Sequence, residues 1–193
     1  PGTGQFTRFL LVGNPVSLLS IHDKTLSSNV FATLSADITI IPKVLSAKVL
    51  YGNNYESAER NYLLPSSVFF DQLNRTRASL STSRREQQTR EATLSFRKTF
   101  GSLLKVDADG GVGEYPYKFF GFGAVGADMM DAIGFDRIQT ASAASQTVNS
   151  SRDENKKRSA FARSTFDVAD KYMATLIYRY DGWSQFFPEN KFA

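Results

Sequence analysis

Apolar and polar side chains alternate with a period of two residues along much of the chain. Between residues 30 and 41 one face is apolar and the other is mostly polar, and the same alternation returns over residues 47–56. The apolar positions of the first run are Val30, Ala32, Leu34, Ala36, Ile38 and Ile40. Such alternation is typical of a strand with one buried face, because successive side chains of a strand point to opposite sides. Pro42 separates the runs, since proline cannot donate to a strand ladder. The two runs therefore predict a β-hairpin.

The same unit occurs twice more. Residues 91–100 and 104–112 alternate on either side of a turn at Gly101-Ser102, and residues 160–168 and 172–181 alternate on either side of residues 169–171. The sequence therefore predicts an all-β chain of about six strands in three hairpins.

The connections between the predicted hairpins are much longer than the turns within them. Residues 61–88 and about 114–157 are polar, are rich in Ser, Asn, Gln, Arg and Gly, and contain clusters of aromatic residues. Structureless loops of this length count against a compact soluble domain. Short turns on one side and long extracellular loops on the other are expected of an outer-membrane β-barrel, so this asymmetry predicts a segment of a large transmembrane antiparallel barrel.

In each predicted strand, one face is apolar and the other carries the charged residues, as expected of a strand in a membrane barrel. Lipid needs an uninterrupted apolar face, whereas a face that lines a wet lumen can carry charge. The charged positions on the second face are Asp37, Lys48, Glu91, Arg97, Lys105, Asp107, Arg163, Asp167, Arg179 and Asp181. Lys98 is an exception on the apolar face, one step from a turn, where its ammonium can reach lipid headgroups. Tyr172, Tyr178 and Tyr180 suit aromatic girdles at the two membrane interfaces.

Composition narrows the chemistry. The 193 residues include 23 Lys and Arg, 19 Asp and Glu, one His and no Cys, and aromatics make up 13%. Without cysteine, disulfides, thiolate zinc sites and cysteine nucleophiles are excluded, and one histidine argues against a Ser-His-Asp triad. A net charge of +4 is too small to indicate a nucleic-acid partner. No apolar run approaches about 18 residues, which excludes a transmembrane helix but not a transmembrane strand.

Three patterns with possible chemistry have simpler explanations. Residues 121–126 read G-x-G-x-x-G, but the surroundings are hairpins rather than the strand–helix unit that phosphate binding needs, so a glycine-rich strand end or loop is favoured. A basic run from Arg75 to Arg90 is diluted by carboxylates and is interpreted as a solvated extracellular loop. Asp128, Asp131 and Asp136 lack the spacing of a calcium loop. No catalytic constellation, cofactor site or metal site is predicted, and the chain is interpreted as not an enzyme.

One segment near the end of the chain resembles a known family. Residues 171–186 read KYMATLIYRYDGWSQF, which is similar to a hallmark of SusC/RagA-type TonB-dependent transporters, an aromatic and apolar run followed by Arg-x-Asp-Gly-Ser-x-x-Phe. Trp183 replaces the usual small hydroxyl residue. Shorter stretches resemble the family in the same order, among them residues 14–19, 36–51, 62–67 and 131–135.

The resemblance implies a plugged barrel of about 22 strands in the outer membrane of a Gram-negative, Bacteroidetes-like bacterium. Such a transporter imports glycans or peptides together with a SusD-like surface lipoprotein and is powered by the TonB complex. Nothing in the sequence resembles the family's plug or TonB box, so residues 1–193 are expected to be part of the barrel domain alone. The expected partners are therefore the lipoprotein, the TonB complex through the missing N-terminal part, an oligosaccharide or peptide substrate and outer-membrane lipid.

Substrate contacts are expected from loop aromatics, whose rings stack on sugars or cover apolar peptide side chains. These candidates are Phe69, Phe70, Tyr115, Tyr117, Phe119, Phe120 and Trp183. A surface adhesin or a soluble β-sandwich that binds a ligand without transport stays open as the alternative, because a sandwich also alternates apolar with polar positions.

Overall fold

Six long antiparallel strands form one sheet in the computed structural model, which describes residues 15–68 and 75–185. The strands are β1 (His22–Ile41), β2 (Leu45–Leu64), β3 (Arg77–Phe100), β4 (Leu104–Ala127), β5 (Thr147–Val168) and β6 (Tyr172–Trp183). Each strand lies beside its neighbours in the sequence, in the order β1 to β6. The all-β class and the three hairpins are confirmed. The described strands make a single sheet rather than the two packed sheets of a sandwich.

Each hairpin closes through a tight turn of three residues, at 42–44, 101–103 and 169–171. Lys43 and Gly101 have positive φ angles of 63° and 61°, the left-handed conformation that closes the chain back on itself. The turns also bond to the neighbouring hairpins, because the amide of Arg97 donates to the carbonyl of Val44 at 2.7 Å and the amide of Ala169 donates to that of Leu103 at 2.6 Å. Adjacent hairpins are therefore held in register at their turns.

The strands run much farther than the apolar alternation does. β2 continues to Leu64, β3 begins at Arg77, β4 continues to Ala127 and β5 begins at Thr147. The predicted loops at residues 61–88 and about 114–157 are thus wrong in extent, and the connections are residues 65–76 and 128–146. A ladder of backbone hydrogen bonds does not require an apolar face, so strands persist where both faces are polar.

The described residues divide into two units. The connection unit comprises residues 15–28, 56–68, 75–84 and 119–152, and the turn unit comprises residues 29–55, 85–118 and 153–185. The buried apolar side chains all belong to the connection unit, and they are Leu63, Leu64, Val68, Ala78, Ala127 and Ala141. In the turn unit large apolar side chains are exposed instead, among them Leu34 at 73% and Leu176 at 67%.

In the described part of the chain, helix is confined to three short 3₁₀ turns, Ser17–Ser20, Ile138–Thr140 and Ala143–Ser145. Within residues 15–68 and 75–185 no helix is long and apolar enough to span a membrane.

Candidate functional site

One face of the turn unit carries a ladder of charged and hydroxyl side chains, and we call it the polar face. Oppositely charged or hydrogen-bonding groups meet between β1 and β2, between β3 and β4, between β4 and β5, and between β5 and β6. The pairs are Asp37 with Lys48 at 3.9 Å, Arg97 with Asp107 at 3.8 Å, Ser95 with Asp109 at 2.6 Å, Lys105 with Asp167 at 4.0 Å and Thr165 with Thr175 at 3.1 Å. Most are well exposed, so they contribute little to stability and define a hydrated wall of balanced charge.

The opposite, apolar face is continuous across strands. In the register of β5 with β6, Ala160 lies opposite Tyr180, Ala162 opposite Tyr178 and Val168 opposite Tyr172. A shallow groove on the same face is lined by apolar residues of β2, β3, β4 and β5, among them Val49, Leu94, Phe96, Ala108 and Ala162. The apolar positions predicted from alternation along separate strands thus lie on one surface.

Tyr115 is an aromatic residue of the polar face with both a side-chain hydrogen bond and a close ring contact. Its hydroxyl donates to the Glu91 carboxylate at 2.7 Å. Its ring lies against Gly113, where an added Cβ would be 2.5 Å from the Tyr115 hydroxyl oxygen and 3.0 Å from the Ser159 Oγ. A larger side chain at this position would displace the ring, so glycine lets an aromatic side chain lie flat on the sheet.

Two other rings lie against glycines in the same way. The Phe161 ring lies against Gly111 of the turn unit, where an added Cβ would be 2.7 Å from the ring. Within the connection unit, the Phe119 ring lies 3.3 Å from the Cβ position of Gly121, the first glycine of the G-x-G-x-x-G run. That run lies inside β4, so its place in a strand rather than in a phosphate-binding loop is confirmed.

Charged groups of β5 and β6 complete the polar face beside Tyr115. Lys157 lies opposite Trp183 in the strand register, and its ammonium is 5.0 Å from the centre of the indole ring. One row farther along, Ser159 lies opposite Asp181, and the Asp181 carboxylate accepts a hydrogen bond from Arg179 at 2.7 Å. The surface thus combines two half-buried aromatic rings with cations, a carboxylate and hydroxyls. Such a surface can stack on apolar groups and hydrogen-bond polar ones.

The structure corrects where the candidate aromatics lie. Tyr115, Tyr117, Phe119 and Phe120 belong to strand β4 and not to a loop, and Trp183 is the last residue of β6. Alternation along β4 puts Tyr115 and Tyr117 on the polar face of the turn unit. Within the connection unit, Phe119 and Phe120 are on opposite sides of β4, and the Arg152 guanidinium lies 5.8 Å from the Phe120 ring. Phe69 and Phe70 lie outside the described residues.

Sequence reasoning did not include the polar partners of these aromatics among the site residues. On their strands, Glu91, Ser159 and Lys157 are an even number of residues from other polar-face positions. This spacing is the sequence signal that identifies them. The basic run was also misplaced, because Arg77–Arg90 is part of β3 and not a loop.

Two of the three aspartates considered as calcium ligands, Asp131 and Asp128, contact other residues of the connection unit. Asp131 accepts hydrogen bonds from the Ser66 amide at 3.0 Å, from the Ser66 hydroxyl at 2.8 Å and from the Thr76 hydroxyl. Burial raises the pKa of the Asp131 carboxyl, but the donors from Thr76 and Ser66 outweigh burial, and the pKa lies below its usual value. Asp128 pairs with Arg75 at 3.2 Å. Among the described residues, no three acidic, His or Cys side chains converge as metal ligands do.

The chain resembles known proteins in its structure but not detectably in its sequence. No protein-family model matches the sequence, and no curated protein matches it. Solved structures do match. The chain is similar to chains of the RagAB peptide transporter, with a TM-score of 0.82 and 17% identity over 93% of this chain and 20% of that chain. It is also similar to the RagAB peptide importer in the 'open-open' state, with a TM-score of 0.80 and 18% identity over 93% of this chain and 20% of that chain. For the 'closed-closed' state the TM-score is 0.76 and the identity 16%, over 90% of this chain and 19% of that chain.

The chain has the fold of a segment of the chains it matches. At this level of identity the likeness concerns the fold alone, and the chain spans about one-fifth of the length of the chains it matches. The matched structures are described as a peptide transporter and as a peptide importer.

Proposed function

We propose that the chain is part of the barrel domain of a SusC/RagA-type TonB-dependent transporter in the outer membrane of a Gram-negative, Bacteroidetes-like bacterium. The observation that carries this proposal is the continuous, exposed apolar face of the turn unit, on a sheet that aligns with the RagAB peptide transporter at a TM-score of 0.82. A soluble protein rarely exposes an apolar surface of such extent, whereas lipid covers it in a membrane.

The length of the apolar stretch supports a membrane span. Apolar alternation covers residues 92–100, 104–112, 160–168 and 172–180 in β3 to β6, nine residues in each strand. A tilted transmembrane strand needs about 9–11 residues to cross the hydrocarbon core. Beyond these positions the same face becomes charged, first at Arg90, Glu114 and Arg158.

The polar face is then the lumen wall, and we propose that it contacts the substrate. Tyr115, Tyr117 and Trp183 supply aromatic surface on this wall, while Phe119 and Phe120 belong to the connection unit. We favour peptides as the substrate class over glycans, because the proteins of similar fold are peptide importers. Balanced cations and carboxylates suit the termini and side chains of peptides of mixed sequence.

The proposal includes two partners that the family resemblance implies. A SusD-like lipoprotein caps the barrel and delivers substrate, and the TonB complex drives import through the plug and TonB box in other parts of the protein. Substrate held between the cap and the lumen wall is released inward when the plug moves.

Spin labels on β3 test the membrane assignment. The chain has no cysteine, so single substitutions of Ala92, Leu94 and Phe96 and of their neighbours Thr93, Ser95 and Arg97 each carry one nitroxide. In the full-length gene product in lipid bilayers, we expect collision with dissolved oxygen at the first three sites and collision with a water-soluble nickel complex at the other three. The two faces serve as each other's control. Equal access of the nickel complex to all six sites would contradict a membrane span.

Transport itself requires a second measurement. Uptake of labelled peptide mixtures into intact cells should depend on this gene and on an energised TonB complex. A deletion strain that takes up peptides at the normal rate would contradict the transport function even if the barrel spans the membrane.

A further inference from the structure

A compact cluster of charge lies on the apolar face of the turn unit. The Glu114 carboxylate is surrounded by three cations, the guanidinium of Arg158 at 2.9 Å, that of Arg90 at 3.2 Å and the ammonium of Lys156 at 3.6 Å. Three cations against one carboxylate leave a surplus of positive charge. Glu114 has 23% of its side chain exposed, whereas the three cations have 44–58% exposed, so their donors remain open to an additional anion.

The cluster stands at the border of the apolar surface. Ala92 of β3, Val112 of β4 and Ala160 of β5 are the apolar residues farthest from the turns on this face. The charged residues of the cluster come next on each of these strands in the direction away from the turns. These three apolar residues and Arg90, Glu114 and Arg158 of the cluster line one shallow groove of about 600 Å³, whose walls are nearly all apolar and which also includes Tyr51 and Tyr180. A hydrocarbon-binding surface and an anion-binding cluster are therefore adjacent.

We propose that this groove and cluster form a binding site for a phosphorylated sugar lipid of the outer leaflet. The acyl chains would lie along the groove, and a headgroup phosphate would accept hydrogen bonds from Arg90, Arg158 and Lys156. The inference rests on the proposed function, which puts the three short turns in the periplasm and the cluster, at the other end of the apolar stretch, level with the outer-leaflet headgroups.

The chemistry of the cluster favours a phosphate over other anions. Arginine forks match phosphate oxygens in pairs, and lysine adds a point charge. Gln88 supports the arrangement, because its side-chain oxygen accepts a hydrogen bond from Arg90 at 2.6 Å and orients that guanidinium. Farther from the apolar residues the same face carries Glu86, Lys118 and Glu154, which have no positive surplus. The surplus of the cluster therefore lies in the row where a lipid phosphate would meet the hydrocarbon.

Binding of lipid A to the full-length protein tests the proposal. The probe is fluorescently labelled, bis-phosphorylated lipid A in detergent micelles, added to delipidated protein purified from outer membranes. We expect saturable binding that weakens with salt. In a triple variant Arg90→Gln, Lys156→Gln and Arg158→Gln, we expect affinity to fall on the order of 100-fold, the combined effect of three basic groups at an anionic surface.

The matched control removes the same charge from the other face. Lys48→Gln, Arg97→Gln and Arg163→Gln lie on the polar face, and lipid A affinity should stay within about twofold of the wild type, because bulk charge at that distance is screened. Heat-modifiable migration in gels establishes that each variant is a folded barrel.

A second variant changes affinity in the opposite direction. Glu114→Gln removes the carboxylate that competes for the three cations, so binding of lipid A should become severalfold tighter. If the cluster only holds the strands together, the same variant should instead weaken binding or leave it unchanged.

Three results would overturn the inference while the proposed function stands. Dephosphorylated lipid A could bind as tightly as the phosphorylated form, or phosphatidylglycerol in the same micelles could compete equally well. The polar-face control could also lose as much affinity as the triple variant. If the β3 spin labels show no lipid-facing side, both proposals fail together.

Discussion

At the scale of single residues, glycine determines how the polar face of the turn unit is built. Gly111 and Gly113 occupy polar-face positions of β4, and each leaves room for an aromatic ring, Phe161 on the first and Tyr115 on the second. The rings therefore lie along the sheet and keep this face flat instead of projecting from it. The hydroxyl of Tyr115 reaches Glu91 at 2.7 Å because its ring lies in this position.

The substitution Gly111→Ala tests this packing. An added Cβ would be 2.7 Å from the Phe161 ring and 2.8 Å from the Ala92 carbonyl oxygen, and the backbone oxygen cannot yield as a flexible side chain can. We expect a loss of about 1–3 kcal/mol in the free energy of unfolding, measured by urea titration of the full-length barrel in lipid vesicles.

The adjacent glycine provides the control. At Gly110 the nearest atom to an added Cβ is the Phe161 carbonyl oxygen at 3.6 Å, an ordinary contact. Gly110→Ala should therefore change the free energy of unfolding by no more than about 0.5 kcal/mol. Equal effects of the two substitutions would show that the ring does not lie where the structure has it.

At the scale of elements, strand length and apolar alternation turn out to be separate properties. β3 has 24 residues, of which only the last nine carry the apolar alternation. Residues 81–90 of the same strand are polar on both faces and still belong to the strand. A polar stretch indicates a loop only in a protein whose strands all pack on a compact core. In this chain that rule led to the wrong prediction of a loop where β3 continues.

The two connections are elements of their own, joined by Asp131. This residue of the segment 128–146 accepts hydrogen bonds from Ser66 and Thr76 of the segment 65–76. Since the pKa of Asp131 is lowered by folding, its stabilising effect is complete above the pKa of an unfolded aspartate, about 3.9, and is lost as the pH falls through the lower pKa of the folded state.

A spin label at the exposed position Ser67 reports on this junction. We expect Ser67→Cys labelled protein to be immobilised at neutral pH and to become mobile below about pH 4. With Asp131→Asn added, the label should be mobile at every pH, because the amide replaces one acceptor oxygen with a donor. Asp136→Asn, in the same segment, should leave the neutral-pH spectrum unchanged. An immobile label in the Asp131→Asn variant would contradict the role assigned to this carboxylate.

At the scale of the whole molecule, the described sheet has two outer strands, β1 and β6, each with a strand on one side only. In the proposed barrel, the backbone groups on these outer edges would need further strands, since lipid offers them no hydrogen bonds. The chain spans about one-fifth of the length of the transporter chains it matches, so under the proposal other parts of a longer protein supply those strands.

The isolated 193-residue chain should therefore aggregate in buffer without detergent. Its exposed apolar face and its two edges favour association, and only detergent together with the remaining strands should give a soluble, heat-modifiable barrel. Analytical ultracentrifugation and chemical denaturation measure the outcome. A monomer that unfolds cooperatively without detergent would contradict the barrel assignment and support a soluble binding module.

The sequence by itself determined the fold class, the three hairpins and the division of the strands into an apolar and a polar face. A period of two is a local property, so each strand carries this information in its own residues. The resemblance of residues 171–186 to the transporter family agreed with the fold that the solved structures show.

Only the tertiary structure decided where the strands end and which side chains meet. Backbone pairing extends β3, β4 and β5 through polar sequence, because hydrogen bonds to a neighbouring strand leave no mark on side-chain composition. The contacts of Tyr115 with Glu91, and of Glu114 with three cations, join residues from separate strands. Strand register, which is set by turns and pairing across the whole sheet, brings them together.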